Sequence, residues 1–394
     1  MFGKSITLFE LLGFKVRINA SWIVIAVLLT WSLATGYFRF ALPAYPPGIH
    51  WLMGIAGTLG LFMSIILHEL GHAVIARRDG LRIRGITLFI FGGVAEMESE
   101  PPTPKAELRM AIAGPIVSVA LSILFLGLYY AGAAAGWSVM ALSVSQYLGF
   151  INGIMVLFNM IPAFPLDGGR VLRSILWARR GDLPSATRTA AGIGSGFGTF
   201  LIFLGLFSVL WGNVVGGIWW FLLGMFLRGA SMMSYQQEEI RRYLEGEPVS
   251  KFMTRDPITV PSTISVDELV HDYFYRYHMD HFPVVSGDKL IGSVGTREIK
   301  NITRNDWPRT AVFEVFTPCS AEDSISSRLD AVKALSHMSK KGHSSLMVAE
   351  RDRLVGVLSL RDLLTFLAIK LDLEGGADHP KIDVDEKVRE LQGV

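Results

Sequence analysis

The 394-residue chain has little cysteine and little net charge. Cys319 is the only cysteine, which excludes an intramolecular disulfide and fits a reducing compartment for the C-terminal part. Lys and Arg number 37 against 35 for Asp and Glu, so the sequence gives no case for a nucleic-acid-binding surface, and we expect no nucleic-acid partner. The first apolar run, near Ile18, lacks a small-residue cleavage site after it, and we expect a retained helix instead of a signal peptide.

Charge is scarcest before residue 234. Hydrophobic residues make up 51% of the chain, and nearly all the long apolar runs lie in residues 18–233. Six of these runs approach the roughly 20 residues that cross a hydrocarbon core. They are 18–35, 52–76, 106–131, 138–161, 190–211 and 214–233. The pattern predicts a polytopic α-helical membrane protein with six transmembrane helices, followed by a soluble domain.

The positive charges lie on one side of these six spans. Lys and Arg occur before the first span, between the second and third, between the fourth and fifth, and at or after the end of the sixth. On the other side Arg39 is the one Lys or Arg. The positive-inside rule therefore predicts that both termini and the C-terminal domain are cytoplasmic.

A short apolar segment, "ITLFIF" at residues 86–91, lies between the second and third spans. It is too short to cross a membrane, it is rich in residues that favour strands, and two glycines follow it. One interpretation is a β-hairpin inserted into the membrane, with its backbone polar groups satisfied by protein or water. The other interpretation is a loop lying on the membrane surface, and the sequence leaves both open.

Two histidines and a glutamate end the second span, in "LHELGHAVIARR" at residues 67–78. His68 and His72 are four residues apart and share one face of a helix, with Glu69 beside them. This HExxH spacing is typical of two imidazoles that bind zinc and a glutamate that handles the proton of a water. Such groups in an apolar span are costly unless they are paired or coordinated. The motif therefore predicts a metal site.

A catalytic zinc site needs a third protein ligand. His50 lies at the other end of the second span, so a carboxylate is the better candidate; Glu96, Glu98, Glu107 and Asp167 are available. We favour Asp167 because it lies in "NMIPAFPLDGGR", just past the fourth span and on the same side as His72. Prolines end the preceding helix, and we expect Gly168 and Gly169 to let the backbone turn the carboxylate inward. The alternative is an ordinary turn.

The predicted site has the parts for peptide hydrolysis. Glu69 would accept a proton from the attacking water, and a hydrogen-bond donor would stabilise the oxyanion. Asn159, eight residues before Asp167, is one such donor. Its alternative role is a hydrogen bond in helix packing.

Together these motifs resemble the site-2 protease family of intramembrane zinc metalloproteases. The resemblance covers about residues 18–175: "HELGH" at the end of a membrane helix, a strand-like insert, and "NMIPAFPLDGGR" after a later helix. It implies one zinc per chain bound by His68, His72 and Asp167, Glu69 as the catalytic glutamate, and Asn159 as the oxyanion-stabilising residue. "AGPIVS" at residues 113–118 resembles the family's Gly-Pro segment, which we interpret as helix packing.

The C-terminal half contains an internal repeat. The segment 256–270 is similar to 317–335, and the segment that begins at His281 is similar to the one that begins at His343. Matching glycines, Gly292 and Gly356, lie 64 residues apart. This repeat resembles a tandem pair of CBS motifs, a soluble α/β module that often binds adenine nucleotides.

The resemblance implies a nucleotide site in the second CBS copy. The ribose-contacting pattern, a Ser or Thr followed three residues later by Asp, is present there as Ser359 and Asp362. The first copy has Gly295 and Glu298 instead. We therefore expect one site, for ATP or another adenine nucleotide. The alternative is a pair that only forms a homodimer.

These expectations define four regions: a membrane metalloprotease domain at 1–233, a linker at 234–248, a tandem CBS pair at 249–373 and a polar tail at 374–394. The predicted function is hydrolysis of peptide bonds within or near the transmembrane segment of a single-span membrane protein, modulated by nucleotide. Family analogy suggests a prokaryotic plasma membrane, with lipid as the surroundings.

Two other functions fit parts of the sequence. A CBS-regulated metal ion channel or transporter would use the same three ligands to pass or sense a metal. Transport needs polar residues through several spans, whereas the ionisable groups here converge at one depth. A catalytically inactive scaffold is the third interpretation, and the intact HExxH motif argues against it.

Overall fold

The computed structural model describes residues 5–90, 92–97, 100–287, 289–318, 324–341, 344–351 and 353–374, together with Val384 and Val388. The chain divides into two compact units, Phe2–Glu238 and Glu239–Val394. This division falls within the predicted linker, whose limits remain a prediction. Cys319 and nearly all of the predicted tail at 374–394 lie outside the described residues.

The described residues contain six helices that are long and apolar enough to cross a membrane, which confirms the six predicted spans. They are α1 (Ala20–Ala41), α2 (Pro47–Arg78), α3 (Pro104–Ala134), α4 (Val139–Asn159), α6 (Leu183–Leu210) and α7 (Val214–Leu244). Between α4 and α6 lies a shorter helix, α5 (Asp167–Arg180). Helix α7 runs well past residue 233, because "SYQQEEIRRYL" consists largely of residues that sustain a helix in water.

A four-stranded sheet packs against α2. Its strands are β1 (Ser5–Leu11), β2 (Phe14–Asn19), β3 (Ile83–Phe89) and β4 (Gly92–Met97), in spatial order β1-β2-β3-β4. Strands β2 and β3 are parallel, and the other two pairs are antiparallel. The apolar side chains of β2 and β3 contact α2; Val16 and Leu88, for example, cluster with Ile66.

The segment "ITLFIF" therefore forms part of a β-hairpin. Strand β3 has a partner on each side, so among the described residues the free edge on this side of the sheet is β4. The resemblance to the site-2 proteases implies an edge strand from "ITLFIF", and this prediction is wrong because β2 and β4 lie on either side of β3. Strands β1 and β2 had no counterpart in the sequence prediction. They turn back at Leu12 and Gly13, both with positive φ (51° and 81°).

The second unit is an α/β structure, as predicted for a CBS pair. Its strands are β5 (Thr254–Arg255), β6 (Val260–Pro261), β7 (His281–Ser286), β8 (Lys289–Gly295), β9 (Thr317–Pro318), β10 (Ser324–Ile325), β11 (Ser345–Glu350) and β12 (Arg353–Ser359). Its helices are α8 (Val266–Glu268, continuing to Tyr277), α9 (Thr296–Ile299), α10 (Val312–Val315), α11 (Ala331–Lys341) and α12 (Leu360–Glu374).

The internal repeat appears as two equivalent hairpins. Strands β7 and β8 pair in the same way as β11 and β12, and both pairs shift register at the same place, after Val284 and after Val348. Each copy has its own apolar core: Phe282 and Val294 lie in the first, and Leu346 and Leu358 in the second.

Candidate metal centre

Helix α2 carries both predicted histidine ligands on its buried face. His68 is 3% exposed and His72 is 9% exposed. Their Nε2 atoms lie 3.1 Å apart, as expected for side chains one helical turn apart that turn toward a common point.

Asp167 completes the group. It is the first residue of α5, and its Oδ2 lies 3.1 Å from His68 Nε2 while its Oδ1 lies 3.3 Å from His72 Nε2. One potential ligand atom from each residue falls within 4.8 Å of the others. Ligand atoms around a tetrahedral zinc, with bonds of about 2.0–2.1 Å, are roughly 3.3 Å apart. The spacing of these three side chains therefore fits a zinc ion.

The other nitrogen of each imidazole is held by α3. His72 Nδ1 lies 2.7 Å from the Met110 carbonyl oxygen, and His68 Nδ1 lies 2.8 Å from the Ser118 hydroxyl. A carbonyl only accepts, so His72 carries its proton on Nδ1, and its Nε2 presents a lone pair when the ring is neutral. This is the usual second contact of a metal-binding histidine, which fixes the tautomer and the ring orientation.

The Gly-Pro segment of α3 does more than pack. A methyl group at Gly114 would lie 2.1 Å from His72 Nε2 and 2.7 Å from His68 Nε2. The two imidazole rings can therefore occupy these positions only because residue 114 is a glycine. Ser118, one turn later, is fully buried and bonds His68. The close approach at Gly114 agrees with the sequence interpretation of "AGPIVS" as helix packing. That interpretation did not identify Ser118 as the hydrogen-bond partner of His68.

Glu69 packs against β4, the outer strand of the sheet. A Cβ atom at Gly93 of β4 would approach Glu69 Cγ to 2.8 Å. The glutamate side chain is half-buried, on the helix that carries both histidines. The side chain of Glu69 therefore packs against a face of β4.

Asn159 is the last residue of α4 and is half-buried. A different asparagine of the same helix, Asn152, is fully buried two turns earlier. Its Nδ2 donates to Ser64 Oγ at 3.1 Å and to the Leu148 carbonyl at 2.8 Å. Asn152 thus makes a helix-packing contact of the kind weighed for Asn159, and both roles of Asn159, oxyanion donor and packing residue, remain predictions.

The other carboxylates weighed as ligands have different partners. Glu96 accepts from Thr87 Oγ1 at 2.6 Å and pairs with Arg17 at 3.2 Å. Glu107 pairs with Arg173. Glu98 lies outside the described residues.

Gly168 and Gly169 act through close packing and not through an unusual backbone turn. Both lie in the first turn of α5. A Cβ at Gly168 would lie 2.3 Å from the Met160 carbonyl oxygen, and one at Gly169 would lie 2.3 Å from the Phe164 backbone nitrogen. The missing side chains let α5 fold back against the loop before it, and this brings Asp167 to the histidines.

In the second unit, Ser359 and Asp362 lie at the start of α12. Ser359 Oγ accepts from the Asp362 backbone N–H at 3.0 Å, and Asp362 Oδ2 accepts from Thr254 Oγ1 at 3.3 Å. In the first copy, the Glu298 carboxylate accepts from the Gly295 backbone N–H at 3.0 Å and from Thr317 Oγ1 at 3.2 Å. Both oxygens of Glu298 are therefore already engaged.

Comparisons with known proteins find a matching family for each half of the chain. Peptidase family M50 matches residues 56–134 and 129–204, and the CBS domain matches residues 249–303 and 323–369. "Zinc metalloprotease MJ0392" of Methanocaldococcus jannaschii is 28% identical over 93% of this chain and 96% of its own. The solved "Site-2 Protease from Methanocaldococcus jannaschii" is 28% identical, with a TM-score of 0.41, over 59% of this chain and 95% of its own.

A relative from Mycobacterium tuberculosis, "Putative zinc metalloprotease Rip3", is 33% identical over 367 residues. The match covers 93% of this chain and 93% of the relative, so it includes the membrane helices and the CBS region alike. Similarity at this level along nearly the whole of both sequences means that the chain belongs to Peptidase family M50, the site-2 protease family of intramembrane zinc metalloproteases, and that it carries a tandem CBS pair.

Proposed function

We propose that this intramembrane protease cuts single-span membrane proteins within or near their transmembrane segment, with zinc bound by His68, His72 and Asp167. One observation carries the proposal. Two buried imidazole nitrogens and a carboxylate converge with spacings of 3.1–3.3 Å toward the charged end of an apolar helix. A zinc ion in such a site lowers the pKa of a bound water to about 7 and polarises a carbonyl.

The other side chains around the proposed zinc site have separate roles in peptide hydrolysis. Glu69 accepts the proton of the attacking water and delivers it to the leaving amine nitrogen. The Asn159 amide donates a hydrogen bond to the oxyanion of the tetrahedral intermediate. Ser118 and the Met110 carbonyl keep the imidazoles oriented.

The free edge of β4 is suited to hold the substrate. A transmembrane helix hides its carbonyls in backbone hydrogen bonds, so it must unwind locally before water can attack. An unwound segment can add to β4 as a further strand, with main-chain hydrogen bonds supplying the affinity. Gly93 lies on that strand against Glu69, which supports a path that brings the scissile bond to the catalytic glutamate.

The CBS pair is the proposed regulator. Ser359 and Asp362 bind the ribose of ATP or another adenine nucleotide, and Thr254 borders the same position. The engaged carboxylate of Glu298 supports a single site per chain. A homodimer through the CBS pair is part of this proposal. The orientation we propose has both termini and the CBS pair in the cytoplasm of a prokaryotic cell, with the protein in the plasma membrane.

The test is cleavage in liposomes that contain the purified protein and a single-span substrate. Mass spectrometry of the products locates the cut, which we expect within or beside the apolar segment for wild type and not at all for Glu69→Gln. A metal channel or transporter would instead pass zinc into substrate-free liposomes, in wild type and Glu69→Gln alike. That flux without any cleavage would contradict the proposal.

A further inference from the structure

An ion pair with both partners buried joins α5 to α3. Arg173 Nε donates to Glu107 Oε1 at 2.6 Å. Arg173 is 3% exposed and Glu107 is 0% exposed. A second, partly exposed carboxylate, that of Glu100, accepts from Arg173 Nη2 at 3.0 Å.

Such a pair is poorly explained by stability alone. Removing two charges from water costs several kcal/mol per ion, and well-packed apolar side chains at the same place are often as stable or more so. The pair here is also incompletely satisfied, because Glu107 Oε2 has no hydrogen-bond partner among the described residues. A buried ion pair does, however, restrict how two helices meet, since only one arrangement satisfies both charges.

The position of Arg173 on α5 connects this restriction to the metal centre. Arg173 lies six residues after Asp167, so the two side chains leave the helix about 120° apart. Asp167 contacts the histidines of α2, and Arg173 contacts α3. The short helix is thus fixed on two sides.

Arg173 also contacts the loop that leads into α5. Its guanidinium carbon lies 5.1 Å from the centre of the Phe164 ring, three residues before Asp167. Glu107, for its part, is on the helix whose Met110 carbonyl and Ser118 hydroxyl orient the imidazoles. The ion pair therefore ties the third ligand to the same helix that orients the other two.

We propose that Arg173, held by Glu107, is a positioning residue that fixes α5 so that the Asp167 carboxylate meets His68 and His72. This inference rests on the proposed zinc site. Arg173 does not touch the metal or the substrate, and its effect is on the geometry and affinity of the site.

The test measures metal binding by the full-length protein in detergent. Zinc affinity is obtained by competition with a chelator, and cobalt is used as a spectroscopic probe of the ligand geometry. We expect Arg173→Met and Glu107→Gln to weaken zinc binding about 10–100-fold, as loss of contacts around metal ligands generally does. The cobalt absorption bands should change as well. Arg179→Met, the same substitution at an exposed position of the same helix, should match wild type in both measurements.

A double variant separates positioning from folding. Glu107→Met with Arg173→Met removes both charges and keeps apolar volume, so the metal-free protein should melt at or above the wild-type temperature. We expect its zinc affinity to remain weakened even so. If this double variant bound zinc with wild-type affinity and gave the wild-type cobalt spectrum, the inference about Arg173 would be overturned. The proposed protease function would not be affected by that result. Failure of the wild-type protein to bind zinc would instead contradict the proposed function itself.

Discussion

The imidazole of His68 and the hydroxyl of Ser118 lie 2.8 Å apart, although the residues are separated by 50 positions in the chain. This contact joins α2 to α3 at the metal centre and holds the ring so that Nε2 faces Asp167. A serine in the middle of an apolar helix thereby orients a proposed zinc ligand of the neighbouring helix.

Ser118→Ala should weaken zinc binding by about 10–100-fold, because His68 loses the contact that fixes its orientation. Chelator competition on the purified protein measures this. The control is Ser122→Ala, one turn further along α3, where the hydroxyl donates to the Gly149 carbonyl at 2.7 Å. Equal affinities in the two variants would argue against an orienting role for Ser118.

Gly114→Ala should remove zinc binding, because the new methyl group would lie 2.1 Å from His72 Nε2. Zinc content after purification is the measurement. Gly127→Ala, in the same helix, meets no atom of the described residues within 4 Å and should keep its zinc. A zinc-loaded Gly114→Ala protein would contradict this close approach.

Ser231→Ala should destabilise the membrane unit. The Ser231 hydroxyl, on α7, donates to the Phe164 carbonyl in the loop before Asp167. Loss of the Ser231 hydroxyl removes this donor from a buried carbonyl, at a cost of about 1–3 kcal/mol. Thermal unfolding in detergent should show a lower melting temperature for Ser231→Ala. Ser234→Ala, whose hydroxyl donates to the Ala230 carbonyl of its own helix, should melt close to wild type.

Asp362→Ala should weaken binding of ATP, or of whichever adenine nucleotide binds, by about tenfold or more. A hydrogen bond to a charged group contributes about 1.5–3 kcal/mol, and 1.4 kcal/mol corresponds to a factor of ten. Calorimetric titration of the full-length protein measures the change. Glu298→Ala, at the equivalent position of the first copy, should bind as wild type does. A loss in Glu298→Ala and none in Asp362→Ala would assign the site to the other copy.

The six membrane helices and the CBS repeat could be predicted because their signals are local. A span of about twenty mainly apolar residues, or two similar segments 64 positions apart, can be recognised without knowledge of distant contacts. The same holds for His68 and His72, since helical spacing alone places them on one face.

The elements that the sequence did not predict depend on distant partners. Strands β1 and β2 are short, and β2 pairs in parallel with residues of β3 that lie 70 positions away, so no turn signal joins them. Helix α5 is too short and too rich in arginine to be recognised as a span. The free edge of the sheet belongs to β4 only because β2 occupies the other side of β3.

Within the metal centre, the missed residue is Ser118, and a signal for it was present. Gly114 and Ser118 are four residues apart in a charge-free part of α3, so they share one face of that helix. A glycine and a serine on one face of a membrane helix are typical of close approach to a neighbouring helix. What the sequence could not supply is the identity of the neighbour, which is the histidine face of α2.

The most direct test of the account compares zinc content and substrate cleavage in wild type, Glu69→Gln and Asp167→Ala. We expect Glu69→Gln to retain about one zinc per chain and lose cleavage, because the proton acceptor is gone while the ligands remain. Asp167→Ala should lose both zinc and cleavage. Cleavage by Glu69→Gln at the wild-type rate, or full zinc content in Asp167→Ala, would contradict the assignment of this centre.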